Sequence, residues 1–296
     1  MPKWILLYAI YYGSYAFAWL LFLVVFKKLF RGRLLWVVFR WAILGLFVRA
    51  RFVEPVKLQT QDIIIDAWFT NNFVLISDLH LWPYKSSRYL SKIIDQINTL
   101  EDIDAVLIAW DLTYEAKNDQ KYLNDLFAPL SQSKFPVIAV LGNHDVQMPG
   151  PDIRSKLVEA LSLNNVLFLQ NDIIELYTTK IVWLWSHLAG EDQTSLLEQF
   201  DAKENIVVLT HNPDTISKYT NENADVTLVW HTHCGQIRFP WIHEYIRPYI
   251  YPVEWDFDCG LVDNEYTKLY ITTGLWEVML PMRFMNPPMI DIIHLR

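Results

Sequence analysis

The stretch "FVLISDLH", residues 73–80, joins a short apolar run to an aspartate and a histidine, and this arrangement recurs along the chain. Six further runs of the same length and kind follow, namely "AVLIA" (105–109), "VIAVL" (137–141), "IVWLW" (181–185), "IVVLT" (206–210), "VTLVW" (226–230) and "LYITT" (269–273). Their length and β-branched content are typical of buried strands. They predict a sheet-based core.

Segments with helical spacing lie between these runs. They are "SSRYLSKIIDQINTL" (86–100), "KYLNDLFAPL" (121–130) and "PDIRSKLVEALS" (151–162), the last with Pro at the predicted helix start. Strands that alternate with helices predict an α/β domain. Because no repeat or low-complexity linker interrupts the pattern, we expect residues 54–296 to form one domain.

Composition excludes some classes of protein. The 296 residues carry a formal charge of −8 without a broad basic face, which argues against nucleic acid as a partner. The two cysteines, Cys234 and Cys259, do not form a CxxC pair. We therefore expect two ordinary thiols rather than a zinc cluster or a disulfide.

The N-terminal segment predicts a membrane anchor in residues 1–53. Ile5–Phe26 is free of charge and would reach roughly 33 Å as a helix, enough to cross a bilayer. The basic stretch "KKLFRGR" follows instead of a cleavage site, so we expect the anchor to be retained. Leu34–Val48 is shorter and contains Arg40, which suits an interfacial helix better than a second span.

The basic residues after the first span also predict sidedness. With a single span they should stay inside, which places the C-terminal domain on the cytoplasmic face. If residues 34–48 also cross, the same cluster becomes the inside loop and the domain lies outside. The sequence favours the single-pass, cytoplasmic arrangement.

Polar side chains of one kind follow the predicted strands. The set comprises Asp78, His80, Asp111, Asn143, His144, Asp145, His211, His231 and His233. Taken singly, each has an ordinary explanation as a cap, a turn residue or a solvated histidine. Functional groups gather at the carboxyl ends of strands in α/β sheets, however, and these supply oxygen and nitrogen ligands without a thiolate. Such a set suits Mn²⁺, Fe or Zn²⁺.

The ordered set D-x-H, D, GNHD, H and H-x-H resembles the calcineurin-like metallophosphoesterase superfamily. Within it, "SDLHL", "GNHD", "HTHCGQI" and "TTGLWEVMLPMRF" resemble the bacterial membrane-anchored branch, which is similar to UDP-2,3-diacylglucosamine hydrolase-like phosphoesterases. The resemblance implies a four-layer α/β/β/α sandwich, in which two mixed sheets pack face to face with helices outside, preceded by a transmembrane helix.

The resemblance also implies a role for each residue. One divalent metal would be held by Asp78, His80 and His233, the other by Asn143, His211 and His231, with Asp111 bridging them. His144 would face the scissile phosphate and be oriented by Asp145. Two such ions clamp a phosphate, and a hydroxide that bridges them attacks phosphorus.

These features predict a membrane-anchored, dinuclear phosphohydrolase. Its substrate would be a phosphorylated small molecule or a lipid precursor such as UDP-2,3-diacylglucosamine. Two alternatives stay open: a catalytically impaired membrane scaffold with a degenerate metal site, and a phosphodiesterase or phosphoprotein phosphatase without lipid preference.

Tryptophan stands where the resembling family has glycine, at Trp82, Trp110, Trp230 and Trp276. The chain has 13 Trp and only 9 Gly, whereas average use would give roughly 20 Gly. Three explanations compete: a degenerate site, tolerated tryptophans, or a gene whose UGA codons mean glycine. The third accounts for both the excess of Trp and the shortage of Gly, and we favour it as a hypothesis.

Overall fold

A computed structural model describes residues 3–27, 34–81, 85–109, 111–114, 116–142, 144–145, 152–184, 193–201, 203–220, 223–239, 242–243, 245, 259–277 and 280–296. Its helices are α1 (Lys3–Lys27), α2 (Leu34–Val48), α3 (Ser87–Ile97), α4 (Gln120–Phe127) and α5 (Arg154–Leu163). Its strands are β1 (Gln59–Ile65), β2 (Asn71–Ser77), β3 (Ala105–Ala109), β4 (Val137–Val140), β5 (Val166–Leu169), β6 (Ile173–Leu176), β7 (Thr179–Leu184), β8 (Asn205–Thr210), β9 (Val226–Val229), β10 (Gly260–Asp263), β11 (Lys268–Ile271) and β12 (Met289–Leu295).

The strands form two six-stranded mixed sheets. The first has the order β1-β12-β2-β3-β4-β5, and the second has the order β10-β11-β9-β8-β7-β6. In each sheet four consecutive strands are parallel, β2 to β5 in one and β11, β9, β8 and β7 in the other. Their carboxyl ends therefore meet at one edge of each sheet.

Strand β2 shows how the sequence pattern builds the layers. Phe73 and Leu75 belong to the core that also contains residues of the second sheet, whereas Val74 and Ile76 pack into the core under the helices. Because side chains alternate across a strand, a fully apolar strand serves a sheet that is covered on both faces. The expected sandwich of two sheets with helices outside is confirmed.

Helices α3, α4 and α5 cover the first sheet. The outer face of the second sheet packs, in the described part of the chain, against the 3₁₀ helices Thr194–Gln199 and Pro213–Lys218. The helix predicted over 151–162 begins at Arg154, and Pro151 lies outside the described residues.

The two N-terminal helices run antiparallel. Phe17 contacts Phe47 with ring centroids 5.2 Å apart, and Phe22 contacts Trp41 at 6.3 Å. Large apolar side chains on both helices face outward, with Trp19 61% exposed. Among the described helices, α1 is long and apolar enough to cross a membrane, over Ile5–Phe26. A single π-helical turn, Arg49–Val53, joins this hairpin to the two-sheet domain.

The prediction of two free thiols is wrong. Cys234 and Cys259 form a disulfide, with Cα atoms 4.7 Å apart. Cys234 follows β9 and Cys259 directly precedes β10, and these strands both flank β11. Sequence spacing does not reveal this proximity, because it arises only when β10 folds back on β11.

Candidate metal centre

The predicted site residues follow the strands at the expected edge. Asp78 comes directly after β2, Asp111 two residues after β3, and His211 directly after β8. The backbone is left-handed at Asp78, His80, Asp111, His231 and His233, with φ between 38° and 75°. Non-glycine residues adopt this conformation at a cost of about 1–2 kcal/mol each, and such strain concentrates at functional sites.

The first three predicted ligands lie within reach of one ion. Asp78 Oδ1 is 3.9 Å from His80 Nε2 and 3.7 Å from His233 Nε2. One ligand atom from each of the three residues lies within 4.8 Å of the others. Since ligands bind transition metals at about 2.0–2.2 Å, separations of this size suit neighbouring positions around a single ion.

Asp111 connects this cluster to the next. Its Oδ2 lies 3.7 Å from His80 Nε2, and its Oδ1 accepts a hydrogen bond from the backbone N–H of His144 at 3.1 Å. His80, Asp111 and His144 also have ligand atoms within 4.8 Å of one another. The geometry therefore brings His144 close enough to bind a metal, whereas its contact with a substrate stays a prediction.

The remaining histidines lie beside these groups. The rings of His211 and His231 have centroids 4.3 Å apart, and His80 and His233 are stacked at 5.8 Å. Of the seven predicted ligands, Asn143 lies outside the described residues. The other six form one connected cluster, although their assignment to two separate ions stays a prediction.

Unsatisfied polar atoms test whether a metal fits here. Both ring nitrogens of His80 and the Oδ1 of Asp78 are buried without a hydrogen-bond partner among the described residues. Buried polar atoms are normally hydrogen-bonded, and buried polar atoms without a partner need another one. Imidazole nitrogens and carboxylate oxygens are ligands for Mn²⁺, Fe or Zn²⁺, so these residues fit a divalent metal.

Electrostatics supports the same conclusion. Burial lowers the pKa of His231 to about 4, and burial followed by the neighbouring histidines lowers the pKa of His80 and His211 well below the usual range. These histidines are therefore neutral, which is the form that binds a metal.

The carboxyl groups of the site are shifted in the opposite direction. Burial raises the pKa of Asp78 to about 7. Burial, and then the charges of Asp78 and Asp145, raise the pKa of Asp111 well above its usual range. A cation would favour the ionised carboxylates.

Asp145 braces two loops of the site. Its carboxylate accepts hydrogen bonds from the N–H groups of Leu112 (3.0 Å), Thr113 (2.9 Å) and Gly142 (2.9 Å), and from the Thr113 hydroxyl (2.6 Å). The loop after β3 and the loop after β4 are thus held by one buried side chain. That Asp145 orients His144 stays a prediction.

Two tryptophans lie against the cluster. Trp230 is fully buried between the sheets, parallel to Trp183 at 6.3 Å and edge-on to His211 at 6.3 Å. Trp276 lies 6.1 Å from His80. Neither has a positive φ, which is found instead on His231 and His233. At positions 230 and 276 the backbone conformation therefore does not require glycine. A tryptophan there could disturb the site only through the volume of its side chain. Trp82 and Trp110 lie outside the described residues.

Sequence reasoning missed the residues that hold the loop after β11. Arg283 is fully buried and donates to the carbonyls of Thr273 (3.3 Å), Gly274 (3.1 Å) and Trp276. This loop passes beside Asp78, since a Cβ at Gly274 would lie 2.7 Å from Asp78 Oδ2. A lone arginine in a stretch such as "MLPMRF" carries no sequence signal for this role.

Comparison with known proteins agrees with this geometry. The chain is 28% identical to an uncharacterized metallophosphoesterase of Campylobacter jejuni, over 75% of this chain and 58% of that protein. It is 25% identical to the uncharacterized metallophosphoesterase YkuE of Bacillus subtilis, over 83% of this chain and 88% of the relative. It is 26% identical to a zebrafish transmembrane protein with a metallophosphoesterase domain, over 86% of this chain and 61% of that protein.

The chain thus spans about three-fifths of the length of the Campylobacter and zebrafish relatives. The family model for calcineurin-like phosphoesterases matches residues 72–235, the region that carries every predicted metal ligand. This match covers more than half of the chain, which belongs to the calcineurin-like phosphoesterase family.

Proposed function

We propose that the protein is a membrane-associated, metal-dependent phosphohydrolase. The observation that carries this proposal is the cluster of neutral histidines and buried carboxylates joined through Asp111. Bound divalent ions supply Lewis-acid activation of a phosphoryl group and of water. Asp78, His80, Asp111, His211, His231 and His233 would hold them.

The other residues of the site position these ligands or handle protons. Asp145 holds the two loops that present Asp111 and His144. His144, half-buried at the edge of the cluster, is placed to contact a phosphoryl oxygen or to donate a proton to the leaving group.

Hydrolysis of bis(4-nitrophenyl) phosphate by the purified full-length chain in detergent tests this function. The chain should be assayed with Mn²⁺, Fe²⁺ or Zn²⁺ and again after removal of metal by a chelator. We expect turnover that a chelator abolishes and a metal restores, and that Asp111→Asn lacks. Metal-independent turnover, or full activity of Asp111→Asn, would contradict the proposal.

A finer proposal concerns the substrate. The apolar hairpin that joins the catalytic domain through Arg49–Val53 supports a lipid phosphoester or pyrophosphate, such as UDP-2,3-diacylglucosamine. A panel of lipid pyrophosphates and soluble nucleotides, compared by kcat/KM, separates this substrate class from a phosphodiesterase without lipid preference. Equal values for acylated and soluble substrates would exclude the lipid preference.

The second candidate, a membrane scaffold with an impaired site, is supported by the position of Trp230 and Trp276 beside the histidines, where the resembling family has glycine. Elemental analysis of the purified chain distinguishes the two functions. A scaffold should retain little metal, whereas the enzyme should retain a divalent ion at stoichiometric amounts.

Sidedness follows from the number of spans. A single span leaves the domain on the cytoplasmic face, as the sequence predicts. The antiparallel packing of α1 and α2 and the Cys234–Cys259 disulfide favour the other face, because disulfides persist in oxidising compartments. Protease added to intact cells should digest the domain only in the second arrangement.

A further inference from the structure

A cavity of about 150 Å³ lies at the base of the hairpin, where the helices meet the catalytic domain. Its walls include Tyr11, Tyr15, Arg51, Phe52, Lys85 and Glu277. Since a water molecule occupies roughly 30 Å³, the space suits several waters or one phosphate group. None of the described residues of the proposed metal centre is among those that line it.

Arg51 is a buried cation on the hairpin side of this cavity. Its side chain is 5% exposed, and its guanidinium lies over the rings of Tyr11 (4.5 Å), Phe52 (4.8 Å) and Tyr15 (5.1 Å). Its hydrogen bonds go to the Ser14 hydroxyl (2.6 Å) and the Tyr11 carbonyl (3.4 Å). None of the described residues gives it a carboxylate partner, although a buried charge normally has one.

On the opposite wall, Lys85 shares its carboxylate partner, Glu277, with Arg283. Glu277 Oε1 lies 3.4 Å from Lys85 Nζ and 3.5 Å from Arg283 Nε, so one carboxylate is shared by two cations. Burial lowers the pKa of Lys85 to about 8, while Glu277 acts against this shift. Lys85 and Arg283 thus share the Glu277 carboxylate, whereas Arg51 lies among aromatic rings.

The position of the cavity indicates where an anion would come from. Arg51 follows α2 by three residues, at the point where outward-facing apolar side chains such as Ile43, Leu46 and Val48 give way to the domain. An apolar hairpin surface of this kind is suited to lipid, and the headgroups of a bilayer lie at the end of such a surface. In an anionic lipid, the phosphate can bind in the cationic cavity while the acyl chains lie along the apolar surface of the hairpin.

We infer that this cavity binds the phosphate of an anionic membrane lipid, with the Arg51 guanidinium as the principal donor and Lys85 as the second cation. A planar guanidinium matches phosphate oxygens with two parallel hydrogen bonds. The inference rests on the proposed membrane association and names a lipid contact outside the metal ligands.

The cavity is separated from the metal centre by one side chain. Lys85 Nζ lies 5.0 Å from the Trp276 ring, and this ring also lies 6.1 Å from His80. Lys85 also donates to the carbonyl of Leu275 at 2.6 Å, which ties it to the loop that passes beside Asp78. A lipid held at Arg51 would therefore lie next to the site of hydrolysis.

Native mass spectrometry of the full-length chain in detergent micelles tests this inference without reference to turnover. The wild type, Arg51→Gln, Arg51→Lys and Arg49→Gln are titrated with phosphatidic acid, diacylglycerol or inorganic phosphate. Arg49 is the matched control, because it lies in the same turn but already pairs with Glu54 at 3.1 Å.

We expect one phosphatidic acid to bind to the wild type and to Arg49→Gln, and diacylglycerol to bind to neither. Arg51→Gln should bind it at least about tenfold more weakly, as expected when charge-assisted hydrogen bonds are lost, and Arg51→Lys should be intermediate. Equal affinities of Arg51→Gln and Arg49→Gln would overturn the inference. If inorganic phosphate binds as tightly as phosphatidic acid, the inference that the bound phosphate belongs to a lipid is wrong. Absent hydrolysis would affect only the proposed function.

Discussion

Gly142 and Asp111 touch so closely that a methyl group at position 142 would lie 1.9 Å from Asp111 Oδ1. Gly142→Ala should therefore displace the carboxylate that joins the two clusters and lower both metal content and activity. Gly45→Ala is the control, because a Cβ there meets nothing within 4 Å. Elemental analysis of the two variants checks this, and a metal content of Gly142→Ala equal to that of the wild type would contradict it.

His144→Ala distinguishes a proton donor from a ligand. If His144 contacts substrate, the variant should keep its metal and lose about 10²–10⁴-fold in rate, the usual range for a positioned acid or base. Asp111→Ala should lose metal as well as rate. Metal content and kcat should be measured on the same preparation. Loss of metal from His144→Ala would make this histidine a ligand, as its distance to His80 and Asp111 also allows.

The paired substitution Trp110→Gly and Trp230→Gly tests the origin of the tryptophans. Trp230 occupies space beside His211, so we expect the glycine version to bind more metal and turn over faster. A native core Trp would instead leave a cavity and cost about 3–5 kcal/mol in the free energy of unfolding. Unchanged metal content with a large loss of stability would refute recoding, as would UGG codons at these positions.

The buried carboxyl group of Asp291 should make the free energy of unfolding depend on pH. It is buried in β12 and accepts a hydrogen bond from Thr272, and burial raises its pKa to about 6. Between the unfolded pKa of about 4 and the folded value, the folded state holds a proton that the unfolded state has lost. The free energy of unfolding therefore falls as pH rises through this window, by up to ~3 kcal/mol.

Asp291→Asn removes this titration and can still accept the Thr272 hydrogen bond. The variant should be more stable than the wild type at neutral pH, and the advantage should shrink toward pH 4, as measured by denaturant unfolding of the full chain in detergent. Asp95→Asn on the exposed face of α3 serves as the control. An advantage of Asp291→Asn that does not change with pH would contradict this account.

The strands that carry the metal ligands could be predicted because they are short, apolar and followed by polar groups. The run "AVLIA" coincides with β3, and "IVVLT" lies within β8. Strands β1 and β12 escaped prediction because β1 is mostly exposed at a sheet edge and β12 contains Asp291 and His294. An apolar-run criterion misses both.

Other features depend on contacts between distant residues. The disulfide and the cavity at Arg51 bring together segments that the sequence separates, such as Arg51 with Lys85 and Glu277. Single residues of this kind have no periodicity or motif. The candidate ligand set could be proposed from the sequence because its members share one chemistry and one place relative to the strands.

The location of β12 sets the order in which the domain can be assembled during synthesis. It lies between β1 and β2 in the sheet, and both of these strands precede it by more than two hundred residues. In the folded sheet β1 and β2 do not pair with each other, because β12 lies between them. At about 5–20 residues per second, a ribosome needs roughly 10–40 s to pass from Ser77 to Met289. Throughout that interval the nascent chain keeps an unpaired apolar edge on β2. If α1 has already entered the membrane, this edge is exposed while the chain is tethered beside the bilayer.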